Sequence, residues 1–236
     1  MSVTLQEVKP EAIEEESFRI IAAEIGEHGL DAATWAVVRR VIHATGDFSF
    51  AETLRCGNGG IAAGLAAIKA GKNILTDVNM SAVGISQKLM GHWGEGRVLC
   101  GVADPEVAAR ARTEGRTRSE VAIRDLLSEN IGIVAIGNAP TALLRVMELL
   151  AELPAARRPE LVVGVPVGFV NAAEAKELLA QKEYPFITCL GRKGGSPVAV
   201  AIVNALLHLA AAAEPAAPLC AAADTNAGPL GRRSVA

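Results

Sequence analysis

Residues 132–144 read "GIVAIGNAPTALL". The run "GIVAIG" (132–137) is apolar at odd and even positions alike, so a strand there has no face suited to water. That pattern belongs to a strand covered by helices on both sides. The residues that follow break it at once. Gly137 ends the run, Asn138 turns the chain, and Pro140 stands where the first turn of a helix tolerates a missing N–H. Four other runs share this character: "NILTDV" (73–78), "RVLCGV" (97–102), "LVVGV" (161–165) and "PFITCL" (185–190).

Helical segments lie between these runs, and their start signals are clear. Asp104-Pro105 and Ser196-Pro197 each read as an N-cap and a first helical residue. Thr117 with Glu120, and Ser49 with Glu52, have capping-box spacing, and Asn171 with Glu174 resembles it. Strand alternating with helix implies right-handed crossovers and a parallel sheet. The prediction is a doubly wound α/β domain. It has a five-stranded parallel sheet, helices on both faces, and extra N-terminal helices at about 11–27 and 31–44. Residues 1–213 are read as a single domain. The segment 214–236 is rich in Ala, Pro and Gly and lacks periodicity, so it is expected to be a disordered tail.

The chain has 236 residues, half of them hydrophobic, and a net charge of −3, which suffices for one large core. Only 3% of residues are aromatic, too few for a platform of stacked nucleic-acid bases, and no basic footprint for a duplex is present. Nucleic acid is not an expected partner. Cys56, Cys100, Cys189 and Cys220 have neither CxxC spacing nor neighbouring ligands, so neither a zinc site nor a disulfide framework is indicated. The N-terminus "MSVTLQEVKPEAIEEES" is charged and lacks the apolar core of a signal peptide. The stretch "VAVAIVNALLHLAAAA" is interrupted by Asn204 and His208 and is too short to span a bilayer. No membrane association is expected, and the chain reads as a soluble, cytoplasmic protein.

Ligands of open α/β sheets bind beyond the carboxyl ends of the strands. Three turns there combine glycines with helix starts: "GNAPTAL" (137–143), "PVGFVNAAE" (166–174) and "GRKGGSP" (191–197). The last carries two cations, Arg192 and Lys193. Backbone N–H groups at such helix starts favour anions. A nucleotide is one candidate, because "GNGGIA" (57–62) fits G-x-G-x-x-A and Asp77 follows Gly57 by 20 positions. That fingerprint needs a strand directly before its first glycine. The preceding "FAETLRC" reads instead as a helix. No P-loop pattern occurs either.

Other cations stand near helix ends. Arg116 and Arg118 flank Thr117 in "EGRTRSEVA", and Arg40 shares a helix face with His43, three residues on. His43 itself closes an apolar helical run in "RVIHATGDFSF" (40–50). By itself it reads equally as a proton donor or as a helix-terminal histidine favoured by the macrodipole. His28, His92 and His208 read as structural.

The motifs "EEESFRII" (14–21), "RRVIHATGDF" (39–48), "ILTDVNM" (74–80), "TRSEVAI" (117–123), "GNAPTALL" (137–144), "GVPVGFV" (164–170) and "GRKGGSPVAVAIVNALL" (191–207), in this order, resemble the precorrin-8X methylmutase family, cobalt-precorrin-8 form included. The resemblance covers about residues 11–210. One departure is visible: "AEAK" (173–176) stands where the family usually has AESK. The resemblance implies a flavodoxin-like fold, a homodimer, and an isomerase of cobalamin biosynthesis. It needs no redox or metal cofactor. Its reaction moves a methyl group from C11 to C12 of a corrinoid bearing many carboxylates, giving hydrogenobyrinate or its cobalt counterpart. It also admits hand-over of the product to neighbouring enzymes of the pathway.

By the same resemblance His43 is the general acid. A histidine suits this, because imidazole can give and recover a proton near neutrality. Ser17, Arg40, Thr45, Arg116 and Arg118 are then expected to contact substrate. Backbone contacts are expected from the turns at Asn138, Ala139, Pro140 and Thr141, at Gly168, and at Gly191, Arg192, Lys193, Gly194 and Gly195. A non-catalytic corrinoid carrier is the alternative. It would keep the carboxylate contacts without needing the histidine.

Overall fold

The computed structural model describes residues 8–128 and 130–213. The tail expected to be disordered lies outside them. Two antiparallel helices open the fold: α1 (Ile13–Ile25) and α2 (Ala32–Thr45). Asp31 starts α2 by accepting bonds from the N–H groups of Ala33 and Thr34, both at 3.0 Å. Gly46, in the left-handed region, ends it. A single turn, α3 (Phe50–Thr53), then leads into β1 (Leu54–Gly57) and α4 (Gly60–Lys69). The chain continues through β2 (Asn73–Thr76), α5 (Asn79–Gly84), α6 (Gln87–Met90), β3 (Val98–Leu99), α7 (Pro105–Glu114) and α8 (Arg118–Leu126). It closes with β4 (Ile131–Ile136), α9 (Pro140–Glu152), β5 (Leu161–Gly164), α10 (Ala172–Ala180), β6 (Phe186–Cys189) and α11 (Ser196–Ala212).

The sheet has six strands in the order β1-β6-β5-β4-β2-β3. Strands β2 to β6 are the five expected ones, and neighbours among them pair in parallel. The sixth corrects the sequence reading. β1 pairs antiparallel with β6, from Leu54 opposite Cys189 to Gly57 opposite Phe186. Three of its four residues, Leu54 to Cys56, fall in "FAETLRC", which local signals marked as helical. The capping pair expected there does not form: Ser49 makes no side-chain cap. Main-chain pairing with a strand far along the chain overrides a weak local preference.

The central strands β4 and β5 are apolar and buried on both faces because each face meets helices. On β4, Ile133 and Ala135 enter a core built with α1, α2, α4 and α11. Val134 and Ile136 enter a second core with α8, α9 and α10. Helix α11 is apolar nearly all round because it lies between α2, α4 and the sheet, with Ile202, Val203, Leu206 and Leu207 fully buried. Ala175, the departure from AESK, is also fully buried, among Leu143, Leu179 and their neighbours. A methyl group suits that apolar packing.

Two predicted helix starts hold as read. Asp104 caps α7 through Glu106 N–H at 2.8 Å, and Thr117 with Glu120 forms a full capping box on α8. Two differ. Ser196 is the first residue of α11 rather than its cap, and Asn171 precedes α10 in the left-handed region without a side-chain cap. Among the described residues no helix is long and apolar enough to cross a membrane.

Candidate active site

The parallel strands all point their carboxyl ends to one edge, and β1, being antiparallel, starts there. That brings the end of α2 to the same edge. His43 lies exposed in the last turn of α2. The Phe18 ring of α1 meets the imidazole edge to face at 5.3 Å between centroids. Arg39 and Arg40 lie over the same Phe18 ring at 4.2 and 5.2 Å. Arg40 donates to both Glu14 oxygens, at 3.0 and 3.2 Å, and this holds the Glu14 carboxyl below its ordinary range. His208 of α11, read from the sequence as structural, joins this charged cluster. Burial and the nearby Arg40 charge push its imidazole down. Ser17 Oγ donates to Ile13 O at 2.7 Å within α1, and Thr45 Oγ donates to Val41 O at 2.8 Å within α2. Both can exchange these local bonds for a ligand.

A groove beside α1, lined by Glu11, Glu14, Glu15, Phe18, Arg19 and Arg39, has a volume of about 480 Å³. Its three glutamates make this groove acidic, in contrast to the cationic strand edge.

The loop after α2 is tied to the loop after β6. Lys193 Nζ pairs with Asp47 at 2.6 Å and donates to Ser49 Oγ at 3.0 Å. These bonds pull the Asp47 carboxyl down to about 2. The Lys193 carbonyl is gripped from beneath. It accepts from Lys176 Nζ at 2.5 Å and from Cys189 Sγ at 3.3 Å. Lys176 is fully buried with no carboxylate partner among the described residues, and burial pushes its amine down and the Cys189 thiol up. Gly194 allows the closest approach: a Cβ there would lie 2.3 Å from Val165 O. Gly168 N–H donates to Arg192 O at 3.3 Å, which joins the loop after β5 to the loop after β6. The Arg192 guanidinium lies 5.6 Å from the Phe169 ring.

The expected cations of α8 also reach this edge. Thr117 Oγ bonds Thr141 Oγ at 3.1 Å, so the starts of α8 and α9 stand side by side. Arg116 pairs with Glu120 at 3.1 Å, whereas Arg118 is exposed with no ion pair among the described residues. The turn at Asn138–Thr141 needs a correction. Its backbone donors were expected to face the ligand. Instead, the N–H groups of Asn138 and Ala139 donate to the Asp77 carboxylate at 2.9 and 2.7 Å. Gly137 N–H does the same at 3.0 Å. Beyond these three N–H groups, the turn offers a ligand the exposed Asn138 side chain and the Thr141 hydroxyl and N–H.

The same geometry dismisses the nucleotide reading, though not for the reason drawn from sequence. A strand, β1, does precede "GNGGIA". Because β1 is antiparallel, that turn lies at the opposite edge from Asp77, so the two cannot share a dinucleotide. Gly57 and Gly60 are there for packing: Cβ atoms on them would lie 2.1 Å from the Phe186 ring and 2.4 Å from Phe186 O.

Fold and site together define an α/β protein whose strand edge presents an exposed histidine within a rim of arginine, lysine and hydroxyl groups. This suits an acid-assisted reaction on a polyanionic ligand. Residues 12–209 match the family model described as precorrin-8X methylmutase, and the chain belongs to that family. It is 43% identical over 205 residues to the cobalt-precorrin-8 methylmutase of Priestia megaterium, covering 86% of this chain and 89% of that one. It is 42% identical over 199 residues to the precorrin-8X methylmutase of Pseudomonas aeruginosa, covering 83% and 94%. A crystal structure of the precorrin-8X methylmutase of Thermus thermophilus aligns with a TM-score of 0.77 at 45% identity, over 86% of this chain and 97% of that one. The chain is an isomerase of corrin biosynthesis, and the carrier alternative finds no support among these relatives.

Proposed function

We propose that this isomerase moves a methyl group from C11 to C12 of ring C in precorrin-8X or cobalt-precorrin-8, giving hydrogenobyrinate or cobyrinate, with His43 as the general acid. The observation that carries the proposal is the exposed imidazole at the end of α2, edge to face with the Phe18 ring over which Arg39 and Arg40 lie. The migrating carbon leaves a saturated centre for an adjacent unsaturated one in a [1,5] shift. Protonation of the ring C nitrogen by His43 draws electron density toward it and lowers that barrier. The proton returns to His43 when the shift is complete, so no net proton is consumed. A positioned acid contributes roughly 10²–10⁴-fold. The rest of the rate comes from holding the macrocycle in a preorganised, water-poor site.

The peripheral carboxylates are assigned to Arg118, Arg116, Arg192 and Lys193, with Arg40, Ser17, Thr45, Asn138 and Thr141 supplying further contacts. Arg40 reaches a carboxylate only by sharing or releasing Glu14. Gly168, Gly191, Gly194 and Gly195 let backbone approach the macrocycle. Met80 and Val83 of α5, and Val167, Phe169 and Val170 of the loop after β5, are exposed at the same edge. Burying such surface against the flat macrocycle and a second copy of the chain is favourable, so the active form is assigned as a homodimer with the ligand near the interface. The described cysteines are free thiols, in keeping with a reducing cytoplasm and hand-over to neighbouring pathway enzymes there. The test is incubation with precorrin-8X and, separately, cobalt-precorrin-8, followed by visible absorption. The methyl shift alters the chromophore, and unchanged spectra with both substrates would overturn the proposal.

A further inference from the structure

Strand β2 connects outward to β3 on one side, and β4 continues to β5 and β6 on the other. The crevice between the ends of β2 and β4 is therefore the point where the strand order reverses. In open α/β sheets this crevice takes the ligand, and the helix start beside it takes an anionic group. Here the crevice is already filled. Asp77 follows the last residue of β2, is fully buried, and lays its carboxylate over the end of β4. Both oxygens are used: one accepts from Gly137 N–H at 3.0 Å, the other from Asn138 and Ala139 N–H at 2.9 and 2.7 Å. Pro140 has no N–H to add. The Asp77 carbonyl is itself held by Ser119 Oγ at 3.1 Å, so α8, β2 and α9 meet at this residue.

A buried carboxylate is costly unless its oxygens are bonded: burial pushes the Asp77 carboxyl up, and the three N–H groups at the positive end of a long helix pull against that rise. The arrangement has the geometry of an anion complex in which the anion is part of the chain. We propose that Asp77 is an internal anion that occupies the switch-point seat. It keeps phosphate-bearing ligands out and holds the Asn138–Thr141 turn in the shape against which the macrocycle rests. The polycarboxylate then binds above the turn, on side chains, rather than within it on backbone N–H groups. The seat itself is independent of the methylmutase reading, and only the positioning role rests on it.

The Asp77→Ala variant removes the carboxyl group and leaves a space of the size of formate. Thermal unfolding is followed against formate, with chloride as the ionic control. The Ala variant is expected to gain roughly 3–5 °C for each tenfold rise in formate above its Kd. Wild type, and Asp77→Asn, which refills the seat without charge, are expected to ignore formate. If the Ala variant does not fold unaided, the yield refolded from urea with formate against chloride gives the same readout. Equal responses to formate and chloride, or an Asn variant that responds like Ala, would overturn the seat. With the corrinoid substrate, the Ala variant should show KM raised about tenfold and kcat nearly unchanged, with formate restoring KM. A formate-responsive variant with unaltered KM would overturn the positioning role and leave the seat standing.

Discussion

His43 shows what a single side chain contributes and what its surroundings add. It lies in the last turn of α2, exposed, so replacing it removes chemistry without opening the core. His43→Ala is expected to lower kcat by roughly 10²–10⁴-fold while the protein keeps its melting temperature and still binds product. Wild-type turnover in the absorption assay would remove His43 from the mechanism. The arginines divide by their partners. Arg118 has no ion pair among the described residues, whereas Arg40 is held by Glu14. A charge-assisted hydrogen bond contributes roughly 1.5–3 kcal/mol, so Arg118→Ala should weaken substrate binding about ten- to a hundredfold. Arg40→Ala should weaken it less, because Glu14 already shares that guanidinium. Titration with substrate and with its carboxylate esters checks both, and esterification should abolish the difference between wild type and Arg118→Ala. The sequence placed the arginines near helix ends. It carried no sign of which were already paired.

Among the elements, the candidate active edge includes two loops held against each other by Asp47 and Lys193. The Asp47 carboxyl lies at about 2 when folded, against an ordinary value near 4 for a free aspartate. A depressed folded value means the bond stabilises the native state above about pH 4 and is lost as pH falls toward 2. Wild type should therefore lose melting temperature over that window faster than Lys193→Met, with the two curves converging near pH 2. Parallel curves would show that the pair stabilises nothing. Most elements were legible because their signals are local: apolar runs for the parallel strands, and Asp104 and Thr117 for two helix starts. β1 was not legible. Its four residues are extended only because β6 lies beside them, and no local pattern encodes that neighbour. The buried grip of Lys176 on the Lys193 carbonyl was hidden for the same reason: a lysine in a helix reads as a solvated residue until the packing around it is known.

At the scale of the whole molecule, the exposed Met80, Val83, Phe169 and Val170 make assembly the natural test. Substrate and product differ by the place of one methyl group, so they share nearly all carboxylate contacts, and product release is expected to limit turnover. The protein should elute at the mass of a dimer and carry the coloured product with it on gel filtration. A colourless monomer would contradict both. The amino-acid sequence by itself determined the mostly parallel α/β architecture and the family, and it singled out His43 as the candidate acid. Those follow from short-range pattern and from motifs that survive being read in a line. Only the tertiary structure decided that the backbone donors at Gly137–Ala139 belong to Asp77, that Arg40 is already engaged by Glu14, and that the glycines before α4 serve packing against Phe186. A backbone N–H has a single proton to donate. Which partner takes it depends on distances between residues far apart in the chain, and these exist only once the chain has folded.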